Sequence, residues 1–159
     1  MFRELTRKNR QLDTDECIRL LKNEKRGVLS VIGDDSYPYG IPMNHFYNED
    51  DGAIYFHCGR GGHREEAILK SDKVSFCIYD KGTPVNEESW ILIVKSVVVF
   101  GRATLIDDME QVIDITEKLC RKFTSDDEYI QKEIKNYADK TVLIKLIPEH
   151  ICGKKVTEA

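Results

Sequence analysis

The residues best suited to chemistry in this chain stand together, in Cys58-Gly59-Arg60-Gly61-Gly62-His63-Arg64. Its glycines permit close backbone approach, and two arginines flank a predicted helix start. Backbone N–H groups at a helix N-terminus, the positive end of its dipole and an arginine fork are the ingredients of a phosphate site. On the residues alone, a glycine-rich turn with solvated arginines remains the other reading. Glu65 and Glu66 act both ways, since they favour a helix start but would repel a phosphate that they faced. The run is not a G-x-G-x-x-G dinucleotide fingerprint, and no β-α-β unit surrounds it. His57, Cys58 and His63 are not expected to hold a metal, because neighbours on a strand point to opposite faces. Cys58 lacks an assignable base, so no side-chain nucleophile is expected and any redox chemistry would come from a cofactor.

The elements that must position this loop run from Tyr37 to Leu69 as strand, acidic turn, strand, loop and helix. Pro38 and Pro42 each remove a backbone donor, which predicts an edge or irregular first strand whose remaining polar groups face a ligand. Asn48-Glu49-Asp50-Asp51-Gly52 turns the chain into the apolar strand Ala53–His57. Upstream, residues 1–12 carry four cations and read as a solvated arm. Asp13 and Glu16 have capping-box spacing, which predicts a helix over about Asp15–Glu24. Val28–Ile32 follows as a buried strand. Downstream, Val74–Tyr79 is a strand and Asp80–Glu88 a loop. Trp90–Ile106 is too β-branched for a helix and should form one long strand or two meeting at a bend. Asp107 or Asp108 caps a helix whose inward stripe is Met109, Val112, Ile113, Thr116, Leu119, Cys120 and Phe123. A second helix within Thr124–Asp139 turns Tyr129, Ile130, Ile134 and Tyr137 inward. Thr141–Ile147 closes the set as a strand stopped by Pro148. About six strands with inserted helices, without regular β-α alternation, argue for a mainly β antiparallel barrel.

The 159 residues suit a single domain, 1–159, with a core that needs no metal or disulfide staple. A formal net charge of −4 gives no electrostatic reason to expect nucleic acid. The five cysteines form no C-x-x-C pair and suit reduced thiols, and no apolar run approaches a membrane span. The expected location is the cytoplasm.

The order and spacing of Leu5–Leu12, Gly27–Val31, Tyr37–Asn44, Tyr55–His57, Gly62–Arg64, Lys95–Gly101 and Ile151–Lys154 resemble the FMN-binding split-barrel family of pyridoxamine 5'-phosphate oxidase-like proteins. Within it, the chain is similar to the nitroimidazole-resistance reductases. The resemblance implies FMN as cofactor, with Pro42, Met43 and Asn44 along the ring. It puts His57, Gly62, His63 and Arg64 at the phosphate end, and Arg64 where the family places its phosphate-binding cation. It implies a homodimer in which Ser96 contacts the flavin of the other subunit. His45, on the strand lining the ring, becomes the catalytic candidate as proton donor or substrate contact; its plain reading is a hydrogen-bonded strand histidine. The expected activity is reduction of a small electrophile such as a nitroaromatic, with NADH or NADPH as donor. The alternative is a non-catalytic FMN- or haem-binding storage or sensor protein. The chain lacks the arginine-rich, tryptophan-containing ending that holds the vitamin in the true oxidases, which argues against vitamin B6 oxidation.

Overall fold

Asp13 starts the first helix as the capping box predicts: in the computed structural model, which describes residues 1–158, its carboxylate accepts from Glu16 N–H at 2.7 Å. The helix, α1, spans Thr14–Asn23 and buries Cys17, Leu20 and Leu21 against the sheet. Next come β1, Arg26–Ile32, and β2, Pro38–Asn44, joined by a turn in which Asp35 and Ser36 take left-handed φ values of 52° and 63°. The two strands pair from Arg26↔Asn44 to Ile32↔Pro38. The chain continues through β3 (Phe46–Tyr47), β4 (Ile54–Gly59), α2 (His63–Lys70), β5 (Lys73–Tyr79) and β6 (Thr83–Pro84). It then forms β7 (Leu92–Ile106), α3 (Met109–Arg121), α4 (Asp127–Tyr137) and β8 (Thr141–Glu158).

All strand pairs are antiparallel, in the order β2-β1-β5-β7-β8-β4-β3, with the short β6 added beside β7. The sheet curls into a split barrel with helices inserted between strands. Its interior holds Leu29, Val31, Phe56, Phe76, Ile78, Val97, Val99, Ile144 and Leu146, all at 0–1% exposure. Prolines 38 and 42 lie on β2, which ends the sheet, as a strand with two missing donors should. Eight strands replace the expected six because β3 and β6 are two-residue pairings too short to show a period.

Four other expectations change. The last strand does not stop at Pro148 but runs to Glu158, paired with β7 along its length. Between Phe100 and Gly101 the register shifts, so that Phe100 faces His150 and Gly101 faces Pro148. The extra residue is Glu149, on β8, and the locally disrupted ladder beside it tolerates Pro148. On α3 the buried stripe is Val112, Ile115 and Leu119, whereas Met109, Ile113 and Phe123 are 37–43% exposed. On α4 only Ile130 and Ile134 are buried, and Tyr129 and Tyr137 stand half out of the surface. The first twelve residues are not wholly solvated either: Leu12 is buried, its N–H donates to Gly153 O at 3.0 Å, and Phe2 stacks on His150 at 5.0 Å. Among the described residues no helix is long and apolar enough to cross a membrane.

Candidate functional site

The barrel is open between β2 and β4, and a cleft of about 490 Å³ occupies the opening. Pro42, Met43 and Asn44 form one wall, from β2; His57, Cys58 and Gly59 form the other, from β4. Arg64 reaches in from the first turn of α2, and Arg26 closes the end from β1. Among the described residues no carboxylate lines the cleft, so its two guanidinium groups meet no countercharge from them there.

Arg64 is the most informative of these side chains. One terminal nitrogen lies 3.7 Å from the Met43 sulfur, a weak acceptor at best. Its Nε is buried and has no hydrogen-bond partner among the described residues. A buried guanidinium donor without an acceptor is costly, and an anion entering the cleft would relieve that cost. The helix that carries Arg64 begins at Gly62, whose φ of 95°, after 78° at Gly61, requires glycine. A Cβ at either glycine would meet nothing within 4 Å, so the loop faces open space. One of its expected phosphate donors is already used, however: the Gly61 N–H donates to the Glu65 carboxylate. The ambivalence of Glu65 thus resolves against the loop, and the vacant donors lie on the arginine side.

His57 is solvent-accessible yet crowded by protein, and that desolvation, with the Arg64 guanidinium nearby, lowers its pKa. It is a neutral imidazole at pH 7, able to donate one hydrogen bond and accept another. Burial raises the Cys58 thiol, an effect that Arg64 partly offsets, and its Sγ lies 3.6 Å from Val142 O. Cys58 is therefore wall, not nucleophile.

Five residues singled out in the sequence, Pro42, Met43, Asn44, His57 and Arg64, meet at this cleft. Gly62 and His63 stand beside it, where the His63 ring stacks on Tyr39 at 4.5 Å and its Nε2 is 3.5 Å from Asp34. Ser96 lies elsewhere, in a groove of about 310 Å³ on the β7–β8 face with Phe100 and His150. His45 requires correction as a proton donor: it is fully buried, its Nε2 is 2.8 Å from Leu21 O, and Phe76 packs edge-on against it. Burial, then the Lys122 charge, pushes its pKa down to about 3. On β2 Ile41 and Met43 turn inward, and His45, two residues further on, keeps that phase and enters the core. Arg60 pairs with Asp107 at 3.7 Å and does not line the cleft. Sequence reasoning missed Arg26, whose Nε donates to Asn44 Oδ1 at 2.9 Å. Its signal is the hairpin itself, since counting back from the Gly33–Tyr37 turn sets Arg26 opposite Asn44.

The pyridoxamine 5'-phosphate oxidase family model matches residues 13–155. No curated protein sequence matches the chain. Among solved structures, a candidate 5-nitroimidazole antibiotic resistance protein of Bacteroides thetaiotaomicron superposes with a TM-score of 0.76 at 19% identity, over 93% of this chain and 87% of that one. A conserved hypothetical protein of Mycobacterium tuberculosis gives 0.79 at 16% identity, over 95% and 90%. An FAD-binding protein of Mesorhizobium loti gives 0.63 at 24% identity, over 92% and 95%. These likenesses are of fold, whereas the family match spans most of the sequence itself, from the α1 cap well into β8: the chain belongs to the pyridoxamine 5'-phosphate oxidase family.

Proposed function

We propose that the chain is a flavoprotein that binds FMN in the cleft between β2 and β4 and reduces a small electrophile such as a nitroaromatic. The observation that carries this reading is the buried, unpartnered Nε of Arg64 in a cleft lined by two arginines and no acid. Family membership and likeness to an FAD-binding fold support a flavin as the anion's bearer. A single phosphate suits one arginine fork, and without a dinucleotide fingerprint the reading favours FMN over FAD or NAD as resident cofactor.

In this reading Arg64 takes the phosphate. Arg26 holds Asn44 by its side-chain oxygen and leaves the amide N–H groups for the ring. Pro42 and Met43 supply the apolar wall, and the neutral His57 offers a hydrogen bond without adding charge. Gly62 and His63 shape the approach to Arg64, and Ser96 enters from a second copy of the chain. A bound flavin supplies two-electron redox chemistry, so that with NADH or NADPH as donor Ar–NO2 + NAD(P)H + H+ gives Ar–NO + NAD(P)+ + H2O. The chain's part is to orient the ring, neutralise the phosphate and limit water.

Titration with FMN and with riboflavin tests the site. A charged hydrogen bond is worth roughly 1.5–3 kcal/mol, so Arg64→Ala should weaken FMN binding about ten- to a hundredfold and riboflavin binding little. Arg60→Ala, removed from a solvent-exposed pair, should change FMN binding less than about threefold. Equal affinity of the unaltered protein for FMN and riboflavin would sink the phosphate assignment. Anaerobic loss of flavin absorption on adding NADH or NADPH, restored by a nitroaromatic, tests turnover.

A further inference from the structure

A second cavity, of about 400 Å³, lies under the α3–α4 hairpin and shares two walls with the Arg64 cleft: Asn44 and His57 line both. Its character is the opposite. Where the first cleft is cationic, this one carries three aromatic rings, Phe123, Tyr129 and Tyr137, and one acid, Glu133. The rings account for part of the misplaced stripes of the two helices, though Met109 and Ile113 lie outside the cavity. Phe123, Tyr129 and Tyr137 are 37–54% exposed because they rim a cavity instead of filling the core. Glu133 is half-buried and forms no salt bridge among the described residues. Its charge is felt inside: after burial, it is the largest influence raising the Cys120 thiol in the same cavity. The Thr116 hydroxyl on the α3 wall is buried without a partner. An aromatic chamber with an unpaired carboxylate and a vacant hydroxyl suits a flat ring bearing a hydrogen-bond donor or a cation, and opposes an anion.

We propose that the α3–α4 cavity binds the electron-accepting substrate, and that Glu133 makes it select neutral or amine-bearing aromatic compounds over anionic ones. The proposal rests on the flavin-reductase reading for its purpose, because a ring held here would meet a cofactor in the neighbouring cleft across Asn44 and His57. The pocket and its charge preference are properties of this chain's own residues.

Calorimetric titration of the full chain with 4-nitrobenzylamine, 4-nitrobenzyl alcohol and 4-nitrobenzoate tests it, with and without FMN. The unaltered protein should bind the amine tightest and the carboxylate weakest. Glu133→Gln should reduce the amine-to-carboxylate ratio about fivefold or more and leave the alcohol within about twofold. Tyr137→Ala, a half-exposed truncation that spares the core, should weaken all three. Unchanged discrimination in Glu133→Gln, or no loss in Tyr137→Ala, overturns the proposal. Charge-selective aromatic binding in a chain that fails to take FMN would sink the flavin reading and uphold the pocket; FMN binding without it would do the reverse.

Discussion

His45 illustrates how one side chain can be held for structure at a position that reads as chemistry. Taking Nε2 as the protonated nitrogen, it donates to Leu21 O, and the buried Nδ1 has no partner. Beside it, Lys122 donates to the same carbonyl at 3.3 Å and to His45 O at 3.1 Å, and burial lowers the lysine's pKa to about 8. The folded histidine titrates near 3 against an ordinary 6.5. Between those values the unfolded chain binds a proton that the folded one refuses, so folding stability rises with pH over that window and its histidine contribution is lost as pH falls. One such group gives a slope of up to about 1.4 kcal/mol per pH unit. Urea unfolding between pH 4 and 6.5 should therefore be steeper in pH for the unaltered protein than for His45→Gln. Equal slopes would mean that the imidazole is charged in the fold. The Lys122 contribution falls above pH 8 and does not enter this range.

At the scale of elements, the pairing of β7 with β8 depends on Gly101. A Cβ there would sit 2.1 Å from the Ile147 carbonyl oxygen, at the bulge that admits Pro148. Gly101→Ala should cost about 1–3 kcal/mol, read by urea or thermal unfolding. Gly59→Ala, where a Cβ meets nothing within 4 Å, should stay within about 0.5 kcal/mol. A stability loss no larger for Gly101→Ala than for Gly59→Ala would show that the strands shift apart freely. These elements also mark what the sequence could reveal. The Asp13 and Asp108 caps and the β-branched run of β7 are local signals, and local chemistry decided them. The continuation of β8 through Pro148 was not legible, because it depends on a bulge at Glu149 that exists only once β8 is paired with β7. The phase of α3 was hidden too: Ile115 is buried while Ile113 is not, and Thr116, Cys120 and Phe123, which the apolar count assigned to core, line a cavity. Arg64 and the Pro42–Asn44 wall were legible through family resemblance. Arg26 was not, as its role exists only once the hairpin sets it across from Asn44.

For the whole molecule, the face of β7 and β8 is covered only in part by the chain itself: Phe2 stacks on Phe100, and residues 3–6 line the groove that holds Ser96. Ser96 lies in a groove there with Phe100, which is 38% exposed, and Ile147 and Trp90 stand 49% and 79% exposed. Apolar exposure on that scale, and a Ser96 remote from the cleft of its own chain, fit a homodimer in which this face meets a second copy. Phe100→Glu should then shift sedimentation towards monomer and weaken FMN binding in parallel. A monomer with undiminished FMN affinity excludes the arrangement. The free edge at β2 carries a further consequence. An unpaired strand end is a template on which other chains can add, and the cleft requires this one to stay uncovered. Pro38 and Pro42, four residues apart, share one phase of the strand, and the ladder to β1 runs unbroken past both. Their missing donors then fall on the outer rail, where an incoming strand loses two of the N–H groups it would pair with, though Gly40 between them keeps its own. The same two residues that leave room for a ligand thus guard the protein against aggregating through its own opening.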